Sequence, residues 1–228
     1  MKITILTLFP EMFEGPFSHS IIKRAQEKKI VAIEFINIRD FGEGPHKIVD
    51  DTPYGGGIGM VLKVDVLHKA IEHAKKGFEE TSKQLVILTS ASGKVYKQAD
   101  AKHFSTLDHL IIICGHYEGV DERIMKYVDM EISIGDFVLT GGELPAMVIA
   151  DSVTRLITGT ITDGATEDES FTQPLLEYPH YTKPRSYDGE DVPDILVSGN
   201  HQKIHEWRQK KSLEKTKQVR PELLKKEV

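Results

Sequence analysis

EISIGDFVLTGGELPAM, residues 131–147, is the stretch on which the reading of the fold turns. With Met130 before it, the alternating apolar run to Ile134 reads as a strand, which breaks at Gly135. Gly141 and Gly142 then lead into a helical pattern from Glu143. Pro145 falls in the first turn of that helix, where a missing N–H costs nothing because the first N–H groups have no intrahelical partner. A strand, a glycine-rich bend and a helix start form a place where backbone N–H and C=O groups can approach a ligand closely. On the glycines alone, an ordinary β-to-α connection explains the stretch equally well.

Working outward, the same alternation of short apolar runs and helical periodicity recurs. Strands are expected at Lys2–Phe9, Val31–Ile38, Leu85–Leu88, Leu110–Cys114 and Met130–Ile134. Helices are expected at Pro10–Lys28 (broken near Gly15–Pro16), Lys63–Lys76, Lys97–Phe104 and Glu143–Thr158. Asp40–Gly59 is polar, glycine-rich and too long for a mere connection. The expected class is therefore α/β, an open, mostly parallel sheet with helices on both faces. Ligands of such sheets bind beyond the carboxyl ends of the strands. Here those ends are Ser90-Ala91-Ser92-Gly93, Cys114-Gly115-His116-Tyr117 and Ile134-Gly135-Asp136.

Residues 1–159 are expected to form this domain, with 160–174 as a polar, aperiodic linker. Residues 175–228 differ in composition, with Pro179, Pro184 and Pro193 and then a basic helix near Asn200–Lys217, and are expected to form a small helical domain. The chain of 228 residues carries a net charge of −6, against a general affinity for nucleic acid, but its charge is uneven. From His201 onward there are nine Lys or Arg and four acids, and a local basic surface outweighs the total. The single cysteine, Cys114, excludes an internal disulfide framework and reads as a buried thiol. MKITILTLFPEMF lacks the apolar region and cleavage site of a signal peptide, and no run approaches membrane-spanning length, so a cytoplasmic location and no membrane partner are expected.

Other motifs are weaker. Tyr54-Gly55-Gly56-Gly57-Ile58-Gly59 lacks the Lys-Ser/Thr ending of a phosphate loop and reads as a loop that closes on a ligand, or as a surface loop. Asp151 and Arg155, four apart, suit a helix ion pair of about 0.3–0.5 kcal/mol. His46, His116, His180 and His201 show no metal-ligand spacing, and no metal site is expected.

Taken together, FPEMF at Phe9, VDDTPYGGGIGMV at Val49, CGHYEGVDER at Cys114, EISIGDFVLTGGELPAM at Glu131, DSVTR at Asp151, SFTQPLLEYPHYTKP at Ser170 and SGNHQKIHEWR at Ser198 resemble the bacterial tRNA (guanine-37-N1)-methyltransferases. These are knotted (SPOUT) methyltransferases. The motifs run through nearly the whole chain in the family's order. The resemblance implies a trefoil knot at the end of the sheet domain. It also implies S-adenosylmethionine as cofactor, tRNA with G37 as substrate, and a homodimer whose active sites are shared between subunits. A magnesium ion is compatible with the reaction but is not legible in the sequence.

The implied cofactor pocket comprises Ser90, Gly115, Tyr117, Glu118, Ile134, Gly135, Asp136, Phe137, Val138, Leu139, Gly141, Gly142 and Pro145. His46, Asp50, Lys183, His201, Lys203 and Arg208 would bind tRNA. Arg155 would stabilise charge on guanine O6, and a linker acid would be the base. Counting back from Ser170 makes that acid Glu169, the preferred register; counting forward from Ala165 makes it Asp168. The chain departs from the family's pattern at Ala91, His116, Pro174 and Lys183, and at Glu169, where relatives usually carry Asp. A knotted methyltransferase of ribosomal RNA and a non-catalytic RNA-binding protein are the alternatives.

Overall fold

The computed structural model describes residues 1–79, 81–162 and 164–225. Lys226 and Glu227 of the basic C-terminal stretch and Asp163 of the expected linker lie outside the described residues. The chain divides into two compact units, Met1–Thr162 and Asp163–Val228, so residues 164–174 group with the second.

In the first unit β1 (Lys2–Thr7) leads through a 3₁₀ turn to α1 (Glu14–Phe17) and α2 (Ser20–Glu27). The break in this helical stretch comes after Phe17 rather than at Gly15–Pro16. Pro16 sits within the first turn of α1, where it breaks no hydrogen bond, and the chain turns at Ser20, which has φ +53°. Next come β2 (Ala32–Asn37), a two-stranded ribbon of β3 (Asp50–Asp51) and β4 (Val61–Leu62), and α3 (Val64–Lys75). They are followed by β5 (Gln84–Val95), α4 (Gln98–Phe104), β6 (His109–Cys114), β7 (Met130–Ser133) and α5 (Glu143–Thr154).

Five strands form one parallel sheet in the order β2-β1-β6-β5-β7. Alternation along each strand divides its side chains between two cores. Ile3, Ile5, Ile87, Leu110 and Ile112 meet Ile22 of α2, Phe104 of α4 and Ala146, Ile149 and Val153 of α5 on one face. Leu6, Val86, Leu88, Ile111 and Ile113 meet Val66, Leu67, Ala70 and Ile71 of α3 on the other. Each fully buried Val, Leu or Ile contributes roughly 1.5–3 kcal/mol, so two-sided burial explains why β6 is apolar from Leu110 to Cys114.

Strand β5 runs further than its apolar segment. Ile132 pairs first with Thr89 and again with Lys94, so residues 90–93 bulge out between two paired stretches. The bulge closes tightly over β7: a Cβ at Gly93 would lie 2.5 Å from the backbone nitrogen of Ile132.

In the second unit β8 (Ser186–Tyr187) and β9 (Glu190–Asp191) form a hairpin whose turn residues, Asp188 and Gly189, both have positive φ, the geometry a tight two-residue hairpin requires. Helix α6 (His201–Val219) starts where the Asn200 side chain accepts the Lys203 N–H. The Thr216 hydroxyl, buried, accepts from the Leu176 N–H at 2.8 Å and fixes the chain before the hairpin to α6.

One buried polar group of the sheet carries a measurable consequence. His109 is fully buried, 2.8 Å from the Thr4 hydroxyl and stacked at 4.1 Å on Phe78. Burial, and then the charge of Lys2, lower its pKa to about 4. The unfolded chain binds a proton there near pH 6.5 and the folded chain does not, so this contribution is complete above pH 6.5 and is lost as pH falls toward 4. Between pH 7.5 and 5 it amounts to about 2 kcal/mol. Urea unfolding at both pH values is expected to show His109→Gln with a pH dependence flatter than wild type by about that amount.

Candidate functional site

The bulge within β5 and the carboxyl ends of β6 and β7 surround a cleft of about 500 Å³. Its walls are the 90–92 bulge, the 115–120 loop after β6 and the 134–142 loop after β7, with Pro145 of α5 beneath. The close contacts here are made by backbone. The Gly142 N–H donates to the Gly115 carbonyl at 2.7 Å. The Thr89 hydroxyl sits among the Ile113 and Gly142 carbonyls and the Gly115 N–H, at 3.1, 3.4 and 3.3 Å. No side chain fits at Gly142, since a Cβ there would lie 2.0 Å from Thr89 Oγ1 and 2.6 Å from Gly115 N. Ser133 closes the other wall: its hydroxyl donates to the Gly135 carbonyl at 3.0 Å and receives the Gly135 N–H at 3.2 Å.

The structure brings the expected cofactor residues together around this cleft, with one exception. Asp136 is exposed and outside the lining. The Phe137 N–H donates back to the Gly135 carbonyl at 2.9 Å, a tight turn that leaves its middle residue, Asp136, on the outside. Phe137, Val138 and Leu139 line the cleft while keeping 53, 84 and 38% of their surface exposed, an apolar rim open to solvent. Ser92 and His116, in the expected strand-end loops, also line it, as do Thr89, Ser133 and Thr140, which lie outside the residues implied for the pocket. A threonine ending an apolar strand and a serine beside a glycine carry no motif signal; only the crossing of three loops gives them a role.

The glycine-rich loop joins the same wall from the other side. Tyr54 and Ile58 are 100 and 94% exposed, yet the chain returns through Glu118 N–H to Met60 carbonyl at 3.1 Å and Leu62 N–H to Gly119 carbonyl at 3.0 Å. Asp50 lies at the loop's entry, half-buried and paired with Leu62, and His46 is exposed. Arg155 follows the last turn of α5, half-buried, its N–H donating to the Asp151 carbonyl.

The second unit has a cleft of its own, about 610 Å³, lined by Glu167, Asp168, Glu169, Tyr178 and one side of α6 from His205 to Leu213. Glu169 is half-buried and Asp168 exposed. The Arg208 guanidinium lies 4.8 Å over the Tyr178 ring, whereas Lys183, His201 and Lys203 are exposed. Among the described residues no group of three or more His, Cys, Asp or Glu side chains is placed to hold a metal, and no helix is long and apolar enough to cross a membrane.

A family profile described as "tRNA (Guanine-1)-methyltransferase TrmD" matches residues 1–226. The chain belongs to this methyltransferase family. Curated members named tRNA (guanine-N(1)-)-methyltransferase include one from Dictyoglomus turgidum, 53% identical over 99% of this chain and 91% of the relative. Others, from Desulforamulus reducens and Carboxydothermus hydrogenoformans, are 53 and 54% identical over 99% of this chain and 89 and 88% of theirs. The methyltransferase match therefore runs through both compact units, the basic helix α6 included.

The glycine contacts yield a direct test. Gly142→Ala is expected to lose about 1–3 kcal/mol in urea unfolding, because the added methyl must displace backbone rather than a flexible side chain. Gly15→Ala, where a Cβ meets nothing within 4 Å, is expected to fall within about 0.5 kcal/mol of wild type.

Proposed function

We propose that this chain transfers a methyl group from S-adenosylmethionine to N1 of the tRNA guanine at position 37, beside the anticodon. The observation that carries the reading is the glycine-walled cleft at the carboxyl edge of a parallel sheet, in a chain whose family methylates tRNA guanine. A volume of about 500 Å³ suits a small-molecule site, and the missing side chains at Gly135, Gly141 and Gly142 let backbone groups reach a nucleoside closely. When bound there, S-adenosylmethionine supplies an electrophilic methyl group. The 134–142 loop, pinned at Gly142, is the segment that a trefoil knot would draw through.

The remaining chemistry belongs to the protein and the guanine. Neutral guanine carries a proton on N1, so N1 is a poor nucleophile until a base removes it. Glu169 is the proposed base: it directly precedes the Ser170 motif, and it is half-buried where Asp168 is exposed. As the proton leaves, charge moves toward O6, where the Arg155 guanidinium, always charged and able to donate two parallel hydrogen bonds, stabilises it. Asp50 and the glycine-rich loop would close around the splayed base. His46, Lys183, His201, Lys203 and Arg208 would hold the tRNA backbone, which an unpaired anticodon-loop nucleotide allows without melting a duplex.

A homodimer with shared sites belongs to the same proposal. Leu144 and Val148, one turn apart on α5, remain 49 and 48% exposed while the opposite face of the helix is buried, as expected of a face that meets a second copy.

The decisive measurement is transfer of labelled methyl to a tRNA transcript with G37 and to one with adenine at that position. Label is expected in the first alone, and nuclease digestion should return it as N1-methylguanosine. Label in both transcripts, or in neither, overturns the reading. Single-turnover rates separate the roles of individual residues. Arg155→Ala and Glu169→Gln are each expected to cost roughly 10²–10³ in rate, while Asp168→Asn stays within about threefold. A large loss confined to Asp168→Asn would move the base to that residue.

A further inference from the structure

Glu143 is a carboxylate in an unusual place. It opens α5 and is 2% exposed, directly behind the wall of the first cleft. The Thr7 hydroxyl at the end of β1 donates to its Oε1 at 2.8 Å. Its position in the first turn also sets it against the positive end of the helix dipole. Burial, and then the Glu143 charge, push the neighbouring Cys114 thiol well above its usual range.

The second carboxylate oxygen, Oε2, faces the Nδ1 atom of His116 at 3.9 Å. That nitrogen is buried and makes no hydrogen bond, so the Glu143 carboxylate faces it across a gap too long for one. The space between the two groups is kept by Gly141, where a Cβ would lie 2.4 Å from Glu143 Oε2 and 2.6 Å from His116 Nδ1. On its outer side the His116 ring packs 5.2 Å from Phe9 and edge-on, at 4.8 Å, against Tyr117. Tyr117 is a non-glycine residue at φ +59°, a conformation that persists only when its surroundings over-determine it. Both His116 and Tyr117 line the cleft.

We propose that Glu143 is a positioning residue: by attracting the His116 Nδ1–H it clamps the 115–119 loop, and so holds Tyr117 in the strained geometry that shapes the cofactor pocket. The inference rests on reading the cleft as the S-adenosylmethionine site. The carboxylate does not touch the ligand. It acts through the imidazole, which joins the buried core at Thr7 and Glu143 to the pocket wall at Tyr117. Glycine at 141 is then required for the clamp as well as for the turn.

The test is titration calorimetry of the full chain with S-adenosylmethionine, together with amide hydrogen exchange of residues 115–119 in the absence of ligand. Binding by wild type checks the cofactor reading, and its failure there is distinct from failure of the clamp. Glu143→Gln keeps an acceptor for Thr7 but removes the charge; His116→Phe keeps the ring between Phe9 and Tyr117 but removes the N–H. Each is expected to weaken Kd about tenfold and to speed exchange in the loop, with the double variant no weaker than about tenfold because one interaction is lost once. In turnover, KM for the cofactor should rise while kcat stays within about twofold. His116→Arg, which restores a donor, is expected to stay within about threefold of wild type. Wild-type affinity in both single variants, or losses that multiply to about a hundredfold in the double, overturns the clamp. If Glu143→Gln does not fold, the comparison of His116→Phe with His116→Arg decides, and equal affinities in those two overturn it.

Discussion

The hydrogen bond from Gly142 to the Gly115 carbonyl, 2.7 Å long, ties the loop leaving β7 to the loop leaving β6 at the point where α5 begins. Backbone reaches backbone there because neither residue carries a side chain; a Cβ at Gly115 would lie 2.7 Å from the Thr89 carbonyl. The two loops and the end of β5 thus share one crowded junction. The cleft above it inherits walls of peptide groups and a floor formed by the first turn of α5. Its polar groups are fixed before any ligand arrives, the pre-organisation that the proposed transfer reaction needs.

The junction also explains why polar residues are tolerated so near the core. Thr7, Thr89 and Glu143 are all buried, and each is hydrogen-bonded at a strand end or helix start. A buried hydroxyl or carboxylate left without a partner would cost a few kcal/mol, so these groups specify one arrangement of the loops and penalise others. His109, at the opposite end of β6, follows the same logic by remaining neutral between Thr4 and Phe78.

The residues with proposed roles fall in both compact units. The first holds the cleft and Arg155; the second holds Asp168, Glu169 and α6. Helix α6 has little apolar surface of its own, burying only Ser212 and Thr216 fully, and is fixed through hydrogen bonds such as the one from Leu176 to Thr216. Lys203 and Lys217 of this helix are exposed, and under the proposed function they would meet a phosphate backbone, whose contacts position rather than specify.

Short runs rich in Ile, Leu and Val mark the five sheet strands, continuous from Leu110 to Cys114 where β6 is covered on both faces and alternating in the half-exposed β2. Helical spacing marked α3 and α5, the basic run from about Asn200 to Lys217 marked α6, and the glycines marked the cleft's loops. Local pattern could not locate the second half of β5, since Lys94 and Val95 pair with β7 through their backbone while their side chains face solvent. Nor could it exclude Asp136 from the cleft, which depends on the turn between Gly135 and Phe137. The pairing of Glu143 with Thr7, 136 residues apart in sequence, and its approach to His116 exist only once β1, β6 and α5 are packed together. Side-chain type and spacing set which elements form, because burial and backbone geometry act locally. Which polar groups meet is decided by the crossing of loops distant in the chain, which no single segment encodes.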